Sequence, residues 1–460
     1  MSGLPGLGEL LDAKKAAEAL GRIGFGAEPA ADKASLIALA AGKLLGRGIG
    51  RSAEACAYFV PGRVEVLGKH TDYAGGRSVV AAVEKGFCVV AVSRDDSKVN
   101  MVDAAEGRWL SFEIDPGLVP TLGHWSNYPT TVARRLAGNF AAPLRGAEVA
   151  FASDLPPASG LSSSSAMVVA FYLVLASAND LSIREAYRRN VSGTESLAGY
   201  LGTIENGQSF GSLTGDKGVG TFGGSEDHTA ILCCRPNTLS QYSYCPVRFE
   251  RTIDVPKGYV FAVGSSGLAA EKTGSAREKY NRTSNLASAA AEAWRKATGR
   301  KDPHLAAAVA SSPDAVAKMR KVLREARDGS FSSAQLLDRF EQFYAESEEI
   351  VPAAGDALAR GDLAEFGRQV DRSQELTEKL LGNQVDQTVF LACSAREIGA
   401  SAASAFGAGF GGSVWALVEA QAARDFLRQW QGRYENAFPE QAAGSAFFIT
   451  NAGPAASELL

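Results

Sequence analysis

Pro156-Pro157-Ala158-Ser159-Gly160-Leu161-Ser162-Ser163-Ser164-Ser165 runs directly into Ala166–Ala176 (AMVVAFYLVLA), the longest apolar run of the chain. A small-residue loop that opens a helix leaves the first amide N–H groups without intrahelical partners, and they converge on one point together with the positive end of the helix dipole. That arrangement favours a phosphate. The serine hydroxyls at 162–165 add donors for phosphate oxygens and oxygen ligands for Mg2+, a hard cation. The same residues also suit an ordinary serine-capped buried helix, because Ser is a preferred N-cap. The apolar run itself is too short for a bilayer span, which needs about 20 residues, and reads as a buried helix. Gly211-Ser212-Leu213-Thr214-Gly215-Asp216-Lys217 has the wrong spacing for a P-loop and adds nothing to the phosphate reading.

Two further segments flank this one. Upstream, Pro61-Gly62-Arg63-Val64-Glu65-Val66-Leu67-Gly68-Lys69-His70-Thr71-Asp72-Tyr73-Ala74-Gly75-Gly76 sets a row of polyol-binding groups between strand-like flanks, at what would be a pocket mouth. Downstream, Gly407-Ala408-Gly409-Phe410-Gly411-Gly412-Ser413 is a turn that lets backbone approach a neighbour closely. Glycine supplies 49 of 460 residues, against a typical ~7%, which points to loops shaped around a ligand. Lys+Arg total 47 and Asp+Glu 51, a net charge of −4 that argues against nucleic acid or an anionic membrane as partner. At about 150 residues per domain the length predicts two to three domains. Cys56, Cys88, Cys233, Cys234, Cys245 and Cys393 show no C-x-x-C spacing, and the start MSGLPGLGELLDAKK lacks the pattern of a signal peptide. Reduced thiols and a cytoplasmic location are the expectation.

Residues 1–55 place apolar side chains at helical spacing and read as a helical extension. From Tyr58 the texture turns to strands, and residues 207–224, with seven glycines, read as a long flexible loop. From Asn281 to about Ala400 the pattern is helical, broken at Pro303, Pro313 and Pro352, with SVWALVEA a late strand. Strands and helices in blocks predict α+β lobes rather than a doubly wound sheet.

The three segments, in this order, resemble the GHMP small-molecule kinases, and the galactokinase branch most closely. Pro61–Gly76 is similar to that branch's P-G-R-V-N-L-I-G-E-H-T-D-Y-N-G-G, Pro156–Ser164 to P-x-G-x-G-L-S-S-S, and Gly407–Gly412 to G-G-G-F-G-G. Trp125-Ser126-Asn127-Tyr128 resembles W-x-N-Y, and Gly361-Asp362-Leu363 begins a match to G-D-L-x-x-F-G ahead of Ser373. The resemblance runs from Tyr58 to about Leu417 and omits residues 1–55. It implies a two-lobed α+β GHMP kinase fold with the active site in the cleft: an N-terminal lobe over 56–250 holding sugar site and phosphate loop, and a C-terminal lobe over 251–460.

The resemblance also implies roles. It assigns catalysis to Asp227, as base for the sugar hydroxyl, and to Arg63, near the transferring phosphoryl; it assigns the sugar to His70, Asp72 and Tyr280, with position 69, here Lys69, among the contacts. Nucleotide binding falls on Ser159, Gly160, Leu161, Ser162, Ser163 and Ser164, and Mg2+ on Ser163 and Glu205, the latter through Ile204-Glu205-Asn206. A carboxylate that accepts the hydroxyl proton, with cations offsetting charge on the γ-phosphoryl, is sound phosphoryl-transfer chemistry. The implied enzyme is an ATP- and Mg2+-dependent sugar kinase acting on the anomeric hydroxyl of galactose or a related sugar, as a monomer or weak homodimer. Alternatives are a non-catalytic sugar sensor and a GHMP kinase for another small alcohol. Departures bear on the substrate. Family Asn is Glu65, family Glu is Lys69, family Gln is His228 and a loop Gly is Ala158. If the strand continued through 65–69, Glu65 and Lys69 would share a face and pair; alternatively Lys69 faces the ligand and selects a uronic acid. Residues 207–224 are expected to form a mobile lid or a subgroup feature.

Overall fold

The computed structural model describes residues 4–140, 143–156, 159–268, 274–327 and 330–459. The chain begins with α1 (Ala13–Arg22) and α2 (Ala27–Gly46), then β1 (Cys56–Leu67), β2 (Arg77–Ser93), β3 (Lys98–Asp103), β4 (Trp109–Glu113), α3 (Asn127–Asn139) and β5 (Ala147–Ser153). Next come α4 (Ser163–Ala178), α5 (Glu185–Asn190), α6 (Thr194–Asn206), α7 (Glu226–Cys233), β6 (Thr238–Ser243), β7 (Arg248–Asp254), β8 (Tyr259–Ser265) and the long α8 (Gly274–Thr298). A helical block follows: α9 (Leu305–Val309), α10 (Ala315–Glu325), α11 (Ser333–Tyr344), α12 (Val351–Ala359), α13 (Leu363–Leu376) and α14 (Asp386–Glu397). The chain closes with β9 (Ala402–Phe406), β10 (Ser413–Glu419), α15 (Ala423–Ala437), β11 (Ala446–Thr450) and β12 (Ser457–Glu458).

Two sheets result. The larger runs β12-β1-β2-β5-β3-β4, with β6 on β2 and β7 on β6; the smaller runs β11-β8-β10-β9. Every pairing but β3 with β5 is antiparallel. This is the α+β architecture expected from the blockwise pattern.

Alternation along β1 explains the layers, since successive side chains point to opposite faces. Tyr58 and Val60 join the core formed with Val168 and Phe171 of α4, whereas Ala57 and Phe59 join Ile37, Ala41 and Leu44 of α2. β2 divides likewise, Val89 to the first core and Cys88 and Val90 to the second. The N-terminal helices therefore cover a face of the larger sheet rather than standing off as an appendage. All six cysteines are unpaired. No helix among the described residues is long and apolar enough to cross a membrane.

Candidate active site

β1 pairs with β2 through two register irregularities, between Pro61 and Arg63 and between Glu65 and Leu67. Bulges bend a strand and re-aim its side chains, and here Arg63 and Glu65 come to line the same pocket as His70, Asp72, Tyr73, Asp227 and Tyr280. The strand ends at Leu67, and Gly68 (φ +113°) then turns the chain. His70 is itself left-handed at φ +58°, a conformation that costs a non-glycine residue energy and persists only where the surroundings hold it. The buried Arg339 guanidinium does so by donating to the His70 carbonyl oxygen, and it reaches the Tyr73 hydroxyl at 3.2 Å. On the ring, Nδ1 lies 3.0 Å from the Tyr73 hydroxyl and Nε2 3.1 Å from the Ala408 carbonyl oxygen.

The three sequence segments meet. Arg63 donates from Nη1 to the Gly160 carbonyl oxygen at 2.6 Å, and its backbone N–H donates to the Leu161 carbonyl oxygen at 3.1 Å. The late glycine turn closes from the other side: a Cβ on Gly407 would sit 3.0 Å from the Gly160 carbonyl oxygen, and Ser413 Oγ donates to the Ser159 carbonyl oxygen. Ser162 (φ +58°) and Phe410 (φ +59°) are left-handed like His70, so each segment holds one constrained non-glycine residue. α4 starts at Ser163, and its first intrahelical bond is Ala166 N–H to the Ser162 carbonyl oxygen. The amides of Ser163, Ser164 and Ser165 therefore precede the ladder, as a phosphate-binding helix start requires.

Beside this helix start lies a cluster of charged side chains. Arg63 donates through Nε and Nη2 to Asp227 Oδ1, each at 2.7 Å. Ser165 Oγ is 2.8 Å from Glu205 Oε2 and 3.2 Å from Asp227 Oδ2. His228 Nε2 lies 3.3 Å from Glu205 Oε2. Asp72 Oδ2 accepts the Glu226 N–H at 3.1 Å, tying the start of α7 to the turn after β1. Glu65 and Glu226 complete the wall and are both buried. Burial pushes the Glu65 carboxyl up to about 7, against the opposing pull of Arg63 and Lys69. Burial also raises Glu226 well above the usual carboxylate range, with the neighbouring Glu65 and Asp72 adding to it. Glu65 Oε1 has no hydrogen-bond partner among the described residues.

Of the residues expected from sequence, Arg63, His70, Asp72, Glu205, Asp227 and Tyr280 line one pocket. Lys69 does not. Its Nζ donates to Ser373 Oγ at 3.0 Å, and Glu346 Oε1 accepts from Ser373 Oγ and from the Gly68 and Lys69 amides. No ion pair between Glu65 and Lys69 occurs among the described residues. The turn at Gly68 is the reason: it ends the strand before the shared face reaches position 69.

Ser163 also departs from expectation. With Ser164 it lines a separate hollow with Trp125, Tyr128, Phe151 and Met167, while the hydroxyl beside Glu205 is that of Ser165. Ser159, Gly160, Leu161 and Ser162 form the approach to α4. Ala158 lies outside the described residues. Residues 207–224 bond to neighbouring elements. Arg134 Nε bonds Asp216 Oδ2 at 2.8 Å, Arg135 Nη2 the Gln208 carbonyl oxygen at 2.7 Å, Asn127 Nδ2 the Val219 carbonyl oxygen at 3.1 Å and Asn281 Nδ2 the Gly220 carbonyl oxygen at 3.1 Å. Of the other residues at the site, Ser165 is covered in sequence only as one of four serines, and Glu226 and Arg339 carry no assigned role. Arg339 carries no local signal.

Comparisons with known proteins follow the same geometry. The galactokinase galactose-binding signature matches residues 48–94, the GHMP kinases N terminal domain residues 127–202, and the GHMP kinases C terminal domain residues 356–436. The galactokinase of Chloroflexus aggregans is 29% identical over 374 residues, covering 80% of this chain and 85% of that one. That of Halalkalibacterium halodurans is 27% identical, covering 89% and 94%. Among solved structures, Lactococcus lactis galactokinase complexed with galactose superposes with a TM-score of 0.72 at 23% identity, covering 91% of this chain and 98% of that one. Fold and site together resemble those of the GHMP kinases, whose N-terminal and C-terminal family models match this chain over residues 127–202 and 356–436. Within that class the chain is galactokinase-like: the galactose-binding signature covers the very turn that carries Arg63, His70 and Asp72.

Proposed function

We propose that the chain is an ATP-dependent sugar kinase that transfers the γ-phosphoryl group to the anomeric hydroxyl of a neutral hexose, with galactose the first candidate. The observation that carries this is the position of Arg63. One guanidinium holds Asp227 Oδ1 and the Gly160 carbonyl oxygen of the phosphate loop together, so the proton acceptor and the donor's phosphates are set by one rigid group. In this reading His70, Asp72 and Tyr280 orient the sugar, Asp227 accepts the proton of the attacking hydroxyl, and Arg63 stabilises charge on the transferred group. Positioning and electrostatics supply most of the acceleration in such transfers. The amides at the start of α4 would bind the phosphates. The hollow of Trp125, Tyr128, Phe151 and Met167 beside Ser163 and Ser164 would take the base. We propose that residues 56–250 and 251–460 act as the two lobes around this cleft.

The donor set beside the helix fits Mg2+. Glu205 Oε2 and Ser165 Oγ are oxygens 2.8 Å apart next to the phosphate site, and Mg2+ is commonly held by one or two protein oxygens with phosphate oxygens and water. Glu205 and Ser165 would hold it, and when bound it offsets charge on the phosphate oxygens.

The charge of the pocket favours a neutral acceptor over a uronate. Glu65, Asp72, Glu226 and Asp227 line it, and Lys69 points away to Ser373. ADP release measured with galactose, other neutral hexoses, pentoses and galacturonate tests the reading. Turnover of galactose at least tenfold above galacturonate is expected. Preference for the uronate would restore Lys69 as a ligand contact, and sugar binding without ADP release would make the chain a sensor.

A further inference from the structure

A second cavity, of about 690 Å3, adjoins the proposed acceptor pocket, a size typical of small-molecule sites. Tyr73, Gly223 and Gly224 line both and form their common border. One wall is α6, another is α8, and the third is the segment 207–224 that the family resemblance leaves unexplained, through Gln208, Phe210 and Phe222. Close packing builds this space. A Cβ on Gly199 would meet the Phe210 ring at 3.0 Å, and one on Gly202 would meet Ser225 at 2.9 Å. Asn206 Nδ2 holds the Gly223 carbonyl oxygen at 2.8 Å, fixing the border from the cavity side.

The lining chemistry selects a ligand class. Among the described residues no Lys or Arg lines the cavity, and Glu195 is the single charged one; a phosphate or nucleotide would find no counter-charge from them. Hydroxyls and amides dominate instead, from Ser196, Thr203, Ser284, Asn285 and Ser288 among others. Ser284 is 7% exposed, yet its hydroxyl takes part in no hydrogen bond among the described residues. Its hydroxyl therefore adds to the uncharged hydrogen-bonding groups that the wall offers to an occupant. Phe222, at 47% exposed, offers an apolar ring face at the rim. Uncharged hydrogen-bonding groups beside aromatic faces match a pyranose, which presents hydroxyls around its edge and C–H groups on its face.

We propose that this cavity is a second carbohydrate site, taking a neutral pyranose ring next to the acceptor. It rests on the sugar-kinase reading for the identity of its neighbour. The ring can belong to the acceptor itself, as the second unit of a disaccharide, or to a free sugar. Either occupant would touch the Gly223–Gly224 border that leads through Ser225 into α7 and Asp227.

Equilibrium dialysis with labelled galactose, together with ADP release on galactose and on digalactosides with a free reducing end, tests this. Ser288→Trp fills the cavity from an exposed position of α8, and Phe222→Ala removes the rim ring without adding bulk. A free sugar predicts two galactoses bound per chain in the parent and one in Ser288→Trp. A disaccharide acceptor predicts kcat/KM for a digalactoside at least tenfold above galactose, lost in Ser288→Trp. Phe222→Ala should weaken the same property about tenfold, and both variants should keep kcat/KM for galactose within threefold. One galactose per chain with no digalactoside advantage overturns the proposal, as does either property surviving Ser288→Trp intact. No bound galactose at all, with no turnover of any sugar, overturns the acceptor reading instead.

Discussion

Glu65 sits in the pocket wall with one carboxyl oxygen unmatched, and burial holds its pKa near 7 against an ordinary 4.5. An acid whose pKa is raised by folding binds a proton in the folded chain that the unfolded chain has released. Stability is therefore lost as pH rises from the unfolded value through the folded one. Glu226 is displaced in the same direction, so the two reinforce the slope. Glu65→Gln removes the ionisation while keeping the shape. Its Tm should exceed the parent's at pH 8 and approach it at pH 5; an equal difference at both would place the cause elsewhere. Asp227 makes a different prediction. In Asp227→Asn the amide oxygen can still accept from Arg63 while the NH2 turns to Ser165, so the fold is retained and proton acceptance is lost. ADP release should fall by about 10²–10⁴, the usual worth of a general base, at unchanged Tm; a fall under tenfold would remove Asp227 from that role. The meeting of Asp227 and Arg63 in one pocket is legible because both stand within motifs. The direction of Lys69 is not, because one glycine at φ +113° and one histidine at φ +58° decide it. Which of Ser163 and Ser165 stands beside Glu205 is set by phase: two residues along an α-helix are about 200° around it.

At the scale of elements, the helical extension and the strand blocks were readable from periodicity, but their destinations were not. Apolar spacing in residues 1–55 identifies α1 and α2 without saying which surface they cover. The answer depends on the opposite face of β1 and β2, whose near-continuous apolar runs meant burial on both sides. Removing residues 1–55 would bare Phe59, Cys88, Val90, Val102 and Ala150. The shortened chain should be largely insoluble, or unfold well below the full chain, in a thermal scan. Soluble, fully active truncated protein would show the helices to be a partner module instead. The segment 207–224 shows the converse. Its glycines signalled a loop correctly, yet the arginines that pin it, Arg134 and Arg135, lie far away on α3. No local pattern announces a loop anchored by another element.

Over the whole molecule, the last described residues connect the two sheets. β11 pairs with β8 in the smaller sheet and β12 with β1 in the larger, a few residues apart in sequence. Between them the chain lies backbone to backbone against β2 and its surroundings. Gly453 donates to the Ala82 carbonyl oxygen at 2.8 Å, Asn237 donates to the Ala452 carbonyl oxygen at 2.8 Å, and a Cβ on Gly453 would fall 2.6 Å from the Val83 carbonyl carbon. Leu459 then enters the core under α2, and its N–H donates to the Ala57 carbonyl oxygen at 2.8 Å. Ala82 opposes Arg63 in the β1–β2 register, so this strap buttresses the strand that carries Arg63 into the pocket. Deleting residues 451–460 leaves every pocket residue in the chain and removes the tie together with the core side chains Ala452 and Leu459. Calorimetry of the shortened chain should show the larger sheet melting earlier, as a lower Tm or a second, separate transition. Galactose turnover at 25 °C should fall less than the drop in Tm would suggest, because the pocket residues themselves remain. An unchanged single transition would mean that the sheets hold together through their shared core, where Phe261 and Trp415 of the smaller sheet join Val64 and Val89 of the larger.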